Sequence, residues 1–427
     1  MNAICLVIDR LHRGFLGSYG NTWIETPAFD RLAAESFVFD QMLVDSPRLG
    51  PLYRSFWQGW HALAPPADRD HDHDHDHGYV VPDTVPDRPA LPAMLRESGV
   101  HSTLLTDERT LIEHPLAIEF DDCIQIDPPW QSQMAAEGVY EETHLARCFL
   151  QIIDWVQTAK RPFFLWCHLG SLGTTWDAPL ECRERYWDES DPPLLATADV
   201  PDRMLQAGFD PDELLVYTQA YAGQIALLDT CLGGFLEVLE DHPAAHKTML
   251  ALTAARGFPM GEHLRLGPCD EALHGELVHV PLLLRFPDRS GADRLGATAR
   301  SQALVEPADV WATLLDRWQI VAPPSPTGVS LMPLVREEPV PTRDRLVVAG
   351  AGQERAIRTP AWYLRKTEPP ELYAKPDDLW EVNDVAVRCQ EVVDSLLDAA
   401  DQFEQAIYSG TVAALPPLSD VLVEGLE

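Results

Sequence analysis

The residues with the most evident metal-binding chemistry form an alternating run at 70–77, DHDHDHDH. Imidazole and carboxylate groups together suit Zn²⁺, Ni²⁺ or Cu²⁺. In an extended chain alternate side chains share one side, so His71, His73, His75 and His77 would line one edge and the aspartates the other. This arrangement favours weak multidentate capture of a metal over a rigid catalytic site. A solvated low-complexity loop without metal is the alternative interpretation.

The elements that would position chemical groups alternate between short apolar runs and amphipathic segments. This pattern is typical of an α/β protein with a mainly parallel sheet covered on both faces. Strands are predicted over residues 4–9, 102–106, 163–167, 249–253 and 280–285. Helices are predicted over residues 91–98, 213–239 and 382–408. Residues 321–343 are rich in proline. This composition favours a boundary between a large domain at 1–335 and a smaller one at 336–427.

Composition narrows the class of partner and the compartment. The chain has 32 basic and 67 acidic residues, a formal charge of −35, so nucleic acid is not expected as a partner because a phosphate backbone requires a basic face. No apolar run approaches the roughly 18 to 20 residues of a membrane-spanning helix, and the first predicted strand begins at Ile4 with no signal segment before it. Eight cysteines without paired spacing indicate reduced thiols. We therefore expect a cytoplasmic protein without a membrane partner; the sequence does not indicate an oligomeric state.

The segment at 46–60, SPRLGPLYRSFWQGW, resembles the active-site segment of the type I sulfatases, a family of the alkaline-phosphatase-like superfamily. Five positions match the family pattern: Ser46, Pro47, Pro51, Ser55 and Gly59. The residue that the family oxidises to its formylglycine nucleophile is Leu49 here, the family arginine is Tyr53, and the basic residue after the glycine is Trp60. The resemblance therefore implies a member that keeps the frame of the segment and lacks its reactive groups.

Further segments resemble the same family in the same order. They are ICLVIDRLHRGFLGSYG at 4–20, PFFLWCHLGSLGTTWDAP at 162–179, LTAARGFPMGEH at 252–263, VHVPLLLRFP at 278–287 and ERAIRTPAWYLRK at 354–366. The resemblance implies an alkaline-phosphatase-like sandwich with a central, mostly parallel sheet and a small C-terminal α+β subdomain. It says little about activity, because one fold can carry many functions.

The family places a divalent cation among side chains at the ends of sheet strands. Asp9 matches its first carboxylate ligand, whereas the second falls on Arg10 and a later pair falls on Ala255 and Arg256. Hard cations take about six oxygen ligands, so a lone carboxylate beside a guanidinium is a poor site. We expect Arg10 or Arg256 to pair with Asp9 and to replace the charge of the cation; a remnant metal site at Asp9 is the alternative.

Other family positions are also changed. The His that assists the leaving group falls on Gly173 and a sulfate-binding Lys falls on Asp270. Arg54 lies one position from the family arginine, and His168 is a polar candidate at a strand end. The expected pocket residues are Arg10, Tyr53, Arg54, Trp60, His168 and Arg256. Tryptophans of the segment and of the strand near His168 are expected to fill the vacated space; stacking on a sugar is the alternative.

These substitutions lead to one main functional hypothesis and two alternatives. We expect a sulfatase-like protein without sulfuric ester hydrolase activity and without a cofactor, which binds an anionic or glycan ligand or pairs with an active relative. The second hypothesis is a metal-dependent hydrolase of sulfate or phosphate esters, with a rearranged site supplied with an unknown divalent metal by residues 70–77. The third is a metal buffer.

Overall fold

A computed structural model of the chain describes residues 1–64, 88–128, 140–159, 162–287, 299–339 and 343–426. The Asp/His run at 70–77 lies outside these ranges, so metal binding there stays a prediction. The strands are β1 Asn2–Ile8, β2 Phe37–Leu43, β3 His101–Thr106, β4 Asp122–Gln125, β5 Phe163–Leu169, β6 Arg203–Met204, β7 Thr248–Thr253, β8 Arg265–Leu266, β9 His279–Arg285, β10 Ala299–Val305, β11 Leu346–Ala349, β12 Arg355–Arg358, β13 Trp362–Lys366 and β14 Glu371–Ala374. The α-helices are α1 Pro27–Ala34, α2 Leu49–Gln58, α3 Leu91–Glu97, α4 Arg109–Ile112, α5 His144–Thr158, α6 Leu180–Glu184, α7 Pro211–Asp241, α8 Gly275–Val278, α9 Pro307–Arg317, α10 Met332–Val335, α11 Gln390–Ser409 and α12 Asp420–Glu424.

The main sheet has eight strands in the order β10-β2-β9-β7-β1-β5-β3-β4. Strand β9 runs antiparallel to β2 and β7, and the other neighbouring pairs are parallel. All seven residues of β1 are buried, as expected for a central strand that is covered on both faces. Because β1, β3, β5 and β7 are parallel, their carboxyl ends meet at one edge of the sheet, and the residues that follow them are brought together there.

The predicted α/β class and mainly parallel sheet are confirmed, and each of the five predicted strands is present. The sequence did not predict β2, because Asp40 and Gln41 interrupt its apolar run although every residue of the strand is buried. Two residues of strand β10 hydrogen-bond to the buried Asp40 carboxylate: Arg300 Nη1 donates to Asp40 Oδ1 at 2.7 Å, and Gln302 donates to Asp40 Oδ2. Burial of a polar group is tolerated where it is hydrogen-bonded in this way.

Helices α3 and α7 match their predictions to within two residues. Helix α11 begins at Gln390, later than the predicted start at residue 382. Ahead of it, Asp384 Oδ1 accepts the backbone N–H groups of Leu372 and Ala386, and these local bonds hold the chain in a non-helical connection.

Helix α7 corrects the expectation that no segment is long and apolar enough to cross a membrane. By length and composition it is, with a mean hydropathy of 1.3 in its most apolar window. In this structure 67% of that window is buried inside the protein, and Leu228, Leu232 and Leu239 are fully buried. The core helix of a globular domain meets the same criteria.

The C-terminal part is a small α+β unit, as expected from the family resemblance. Strands β11 to β14 form an antiparallel sheet in chain order, and α11 packs on it with Val393, Leu396 and Phe403 in the shared core. Residues 62–64, which follow α2, belong to that second core as well. The exact boundary at residue 335 stays a prediction.

The capping glycine of α2 gives a stability prediction. Gly59 has φ 62°, and a Cβ there would lie 2.3 Å from the ring of Trp311 on α9. Gly99 has φ 75° and open space around it. We expect Gly99→Ala to lower the free energy of unfolding by about 1–2 kcal/mol from backbone strain alone, and Gly59→Ala to lower it by a further ~1–3 kcal/mol from overpacking. Urea denaturation measures both, and equal losses would contradict the assigned clash.

Candidate functional site

The segment at 46–60 forms the turn before α2, the helix and its C-terminal cap. Ser46 Oγ accepts the backbone N–H of Arg48 at 3.2 Å, and Ser55 Oγ donates to the carboxylate of Asp45. Gly59 ends the helix in the left-handed conformation that a glycine cap adopts easily. Three positions that match the sulfatase pattern therefore hold the helix in place, and this role does not depend on catalysis.

A cleft of about 590 Å³ opens at the carboxyl edge of the main sheet. Leu49, at the family nucleophile position, is the first residue of α2 and lines the cleft with Arg54 and Arg256. A leucine side chain has no heteroatom, so it can neither attack an ester nor bind a cation. The cleft therefore has the location of an active site, with an inert group at the nucleophile position.

Asp9 and Arg256 form a bidentate ion pair at the base of this region. Asp9 follows β1 and Arg256 follows the neighbouring β7, and both are buried, with 2% and 7% of their surface exposed. Arg256 Nε donates to Asp9 Oδ1 at 3.0 Å, and Nη2 donates to Oδ2. Burial by itself would raise the pKa of Asp9, but the Arg256 guanidinium holds it well below its usual range. Asp9 is thus an anion whose two oxygens are both bonded to a fixed cation.

Asp270 joins the two arginines that were expected near Asp9. Its Oδ1 accepts from Arg256 Nη1 at 2.8 Å and from Arg10 Nη2 at 2.6 Å. Arg10 Nη1 also donates to the carbonyl of Cys269 at 2.5 Å, while its Nε lies 3.9 Å from Asp9. Arg256 therefore makes the direct pair with Asp9, and Arg10 is directed mainly to Asp270. Two carboxylates and two guanidiniums form one network, in which the half-exposed Asp270 and the three buried groups Asp9, Arg10 and Arg256 balance one another.

The divalent cation of the sulfatases does not fit these residues. Of the four family ligand positions, Asp9 alone offers a carboxylate, and Arg256 already bonds both of its oxygens. Ala255 has no ligand atom, and the guanidinium of Arg10 carries the charge of a cation. A divalent ion placed at Asp9 would face two positive groups and far fewer than the about six oxygen ligands it needs.

The Arg10 side chain lies against Gly173, the position that the resemblance aligns with the family histidine. Arg10 has φ 62°, a left-handed conformation that is strained for a residue with a side chain. A Cβ on Gly173 would lie 2.9 Å from Arg10 Cγ. A histidine at position 173 would displace the Arg10 side chain, so the two substitutions are sterically linked.

Tyr53 and His168 lie beneath the cleft as a buried pair. Both are fully buried, and the Tyr53 hydroxyl is 2.5 Å from His168 Nδ1. Burial lowers the pKa of His168, which keeps the imidazole neutral, and burial raises the pKa of Tyr53. The Tyr53 ring packs edge-on against Trp57 and Trp166. The expected pocket role of Tyr53 and His168 thus becomes a packing role in the structure.

The structure places Trp60 outside the cleft, although it was expected to line the pocket. The helix between Leu49 and Trp60 is about 15 Å long, and the left-handed turn at Gly59 directs the chain away from the cleft. The Trp60 ring packs against the second core, with the Arg88 guanidinium 5.1 Å from its centroid.

The cleft contains functional candidates that the sequence did not single out. Arg48, Glu108, Glu113 and His114 line it together with Asp270. A signal existed for Glu108, because it follows β3 at the same edge as Asp9. Arg48 lies inside the segment at 46–60, but the family pattern drew attention to the positions beside it.

The sheet order, the cleft at its carboxyl edge and the C-terminal α+β unit define an alkaline-phosphatase-like α/β protein. Among solved structures, the phosphonate monoester hydrolase of Agrobacterium radiobacter has a TM-score of 0.73 at 17% identity, covering 95% of this chain and 96% of that one. A second structure, solved in complex with its substrate D-glucosamine-2-N,6-O-disulfate, has a TM-score of 0.70 at 16% identity and covers 95% and 98%. At these identities the likeness shows the fold alone.

The family follows from the sequence comparison. The Sulfatase family model matches residues 1–320, and the chain belongs to the sulfatase family. Human iduronate 2-sulfatase is 21% identical over 348 residues, which is 68% of this chain and 60% of that protein. N-acetylglucosamine-6-O-sulfatase of Bacteroides thetaiotaomicron is 29% identical over 123 residues, 29% of this chain and 21% of that protein. The match therefore spans 60% and 21% of the lengths of these two curated relatives, less than two thirds of each.

The Asp9–Arg256 pair predicts a large and pH-dependent stability effect. Arg256→Met leaves the buried Asp9 carboxylate without its two hydrogen bonds from Arg256, with Arg10 Nε 3.9 Å away as the remaining positive group, and we expect a loss of about 3–5 kcal/mol in the free energy of unfolding at neutral pH. The Asp9→Asn, Arg256→Met double variant is expected to recover part of that loss, because no buried charge remains. Urea denaturation of the wild type, both single variants and the double variant measures the coupling; additive losses would contradict a direct ion pair.

The sign of the pH dependence follows from the depressed pKa of Asp9. The pair stabilises the folded state above the ordinary aspartate pKa of about 4 and loses this contribution as the pH falls below that value. The stability difference between the wild type and Arg256→Met is therefore expected to narrow on acidification from about pH 7 to about pH 3. A difference that stayed constant over this range would show that Asp9 is not the titrating partner.

Proposed function

We propose that this chain is a sulfatase-family protein without sulfuric ester hydrolase activity, which binds an anionic or glycan ligand in the cleft. The observation that carries the proposal is the bidentate Asp9–Arg256 pair. It supplies a fixed positive charge where the resemblance places a catalytic cation. Leu49 at the nucleophile position supports the same conclusion, because a leucine cannot form a covalent intermediate.

The charges of the network argue against ester hydrolysis by the family mechanism. Hydrolysis requires positive groups that are free to stabilise the negative charge developing on the ester oxygens. Arg10 and Arg256 are hydrogen-bonded to Asp9 and Asp270, so their charge is already compensated in the resting protein. Their partners would have to be released before they could stabilise a transition state.

The cleft nevertheless retains features of an anion-binding site. Arg48, Arg54 and Arg256 line it with three acidic side chains, so its charged groups balance in a chain whose formal charge is −35. Within the described ranges the Arg48 guanidinium has no hydrogen bond or ion pair, which leaves its donors available for a sulfate or phosphate oxygen. Two of the similar proteins have names that refer to sulfated glucosamine, which supports a sulfated sugar as the first ligand class to test.

The compartment is part of the same proposal. All eight cysteines are free thiols, and four of them, Cys5, Cys148, Cys167 and Cys182, are buried. Reduced thiols are typical of cytosolic proteins, and we propose a cytoplasmic location on this basis.

Absence of turnover is the first functional prediction. Wild-type protein is expected to show no hydrolysis of an aryl sulfate, an aryl phosphate or an aryl phosphonate monoester with Mg²⁺, Ca²⁺, Mn²⁺ or Zn²⁺, with an active sulfatase as positive control. Turnover that disappears in Asp9→Ala would overturn the proposal. Turnover that disappears when His71, His73, His75 and His77 are replaced by serine would overturn it in favour of the metal-dependent hydrolase.

Ligand binding is the second functional prediction. Calorimetric titration with glucosamine 6-sulfate is expected to give saturable binding, which Arg48→Ala weakens at least tenfold, since a hydrogen bond to a charged group contributes about 1.5–3 kcal/mol. Arg388→Ala is the matched control, because Arg388 is an exposed arginine far along the chain in the C-terminal part. Titration with unsulfated glucosamine tests whether the sulfate group contributes to binding. If Arg48→Ala and Arg388→Ala bind glucosamine 6-sulfate with equal affinity, the sugar binds outside the cleft. If glucosamine binds as tightly as glucosamine 6-sulfate, the sulfate group does not contribute to the affinity.

A further inference from the structure

Three potential metal ligands converge at the same edge of the sheet, on side chains that the proposed function does not use. Asp107 follows β3, and His144 and Cys148 lie one turn apart on α5, on the same helix face. His144 Nε2 lies 2.8 Å from Asp107 Oδ2 and 3.6 Å from Cys148 Sγ, and Cys148 Sγ lies 4.0 Å from Asp107 Oδ2. The three side chains are almost wholly enclosed, with 3% of Asp107 and none of His144 exposed.

We infer that Asp107, His144 and Cys148 form a binding site for a zinc-like divalent cation. In a tetrahedral zinc site with bonds of about 2.0–2.3 Å, neighbouring ligand atoms lie roughly 3.3–3.6 Å apart. The observed triangle comes within about 0.5 Å of that geometry on each side. A thiolate, an imidazole and a carboxylate together are characteristic zinc ligands, and a water molecule would take the fourth position.

The carboxylate of Asp107 is already oriented for this role. Its Oδ1 accepts the backbone N–H of Gly170 at 2.6 Å, at the end of β5, which leaves Oδ2 directed to the imidazole. Outer hydrogen bonds of this kind fix the direction of metal-binding side chains. The hydrogen-bond partners of Asp107 in the described part of the chain are His144, Gly170 and Cys148. None of these carries a permanent positive charge, unlike the arginine that balances Asp9.

A second group of potential metal ligands is less suited to bind a cation. His263, His274 and Glu276 also lie close together, but both ring nitrogens of His274 are engaged. Its Nδ1 lies 3.1 Å from Glu381 Oε2, and its Nε2 lies 2.5 Å from Arg365 Nη1. Both nitrogens of His274 therefore already have charged partners, whereas the nearest guanidinium to the group at Asp107, that of Arg147, contacts only the outer nitrogen of His144.

Binding requires two proton movements. The Cys148 thiol loses its proton to solvent as the sulfur–metal bond forms. The Nε2 proton of His144 moves to Nδ1, so that the Nε2 lone pair reaches the metal. Arg147 Nη2, 3.4 Å from Nδ1, has to turn away as this happens.

The test uses the 427-residue chain in which His71, His73, His75 and His77 are replaced by serine, so that residues 70–77 do not compete. Titration with Co²⁺, a spectroscopic substitute for Zn²⁺, is expected to give one equivalent bound with thiolate-to-cobalt charge transfer in the near ultraviolet. Cys148→Ser should abolish that band, and Asp107→Asn, which keeps an oxygen for Gly170, should weaken binding at least tenfold. Cys123→Ser, at the one cysteine classed as exposed, is the matched control and should change neither.

Each outcome decides the inference. Absence of the band in the starting protein, or a band that survives Cys148→Ser, would show that the group is only a buried hydrogen-bonded cluster. Loss of the band in Cys123→Ser would assign the signal to adventitious surface binding. Circular dichroism of each variant separates loss of the site from loss of the fold, and the milder Asp107→Asn change supplies the answer if Cys148→Ser does not fold. Neither the arylsulfatase assay nor the sugar titration enters this test.

Discussion

A buried carboxylate at the end of the central strand requires a compensating charge, and the rest of the site depends on how that charge is supplied. Asp9 is enclosed by the sheet edge, where an isolated anion would cost several kcal/mol. Here the compensation comes from Arg256 on the adjacent strand end.

A guanidinium in that position needs a second acceptor for its remaining donor, which Asp270 provides, and Asp270 in turn binds Arg10. The path of the Arg10 side chain then requires a residue without a side chain at position 173. Asp9, Arg256, Asp270, Arg10 and Gly173 are thus connected by contact.

The same constraint explains which parts of the family pattern are retained. Ser46, Ser55 and Gly59 position α2 through a backbone contact, a buried hydrogen bond and a left-handed cap. These interactions stabilise the fold whether or not a nucleophile is present. Leu49 and Tyr53 align with positions where the family resemblance implies reactive groups; in this structure Leu49 lines the cleft and Tyr53 makes a buried hydroxyl–imidazole bond. A retained frame with altered reactive positions is therefore the expected result of selection for structure alone.

Much of the fold could be predicted from the sequence, because continuous apolar runs identify strands buried on both faces. Strand β2 escaped prediction since its polar residues are satisfied by a strand more than 250 positions later.

The pairing of Asp9 with an arginine could be expected, but the choice of Arg256 over Arg10 depends on side-chain direction at two strand ends. Trp60 was expected in the cleft and lies outside it, because the left-handed turn at Gly59 sets the direction of the chain after α2. The cleft residue Arg48 was overlooked since the family pattern gave it no role.

The carboxyl edge of the sheet also shows why a cation site could persist in a changed form. Parallel strands deliver acidic residues to this edge at Asp9, Asp107 and Glu108, and each anion needs a partner in a chain with a large negative charge. Arginine satisfies Asp9 permanently. At Asp107 the partners are an imidazole, a thiol and a peptide N–H; the thiol and the imidazole nitrogen can give up a proton to a metal, while the peptide N–H keeps the carboxylate in place. Because Asp107 binds Gly170 beside the strand end and Glu108 lines the cleft, a cation held there would stiffen the cleft wall without entering the old catalytic position. The proposed site at Asp107 and the arginine pair at Asp9 are thus compatible within one charge arrangement.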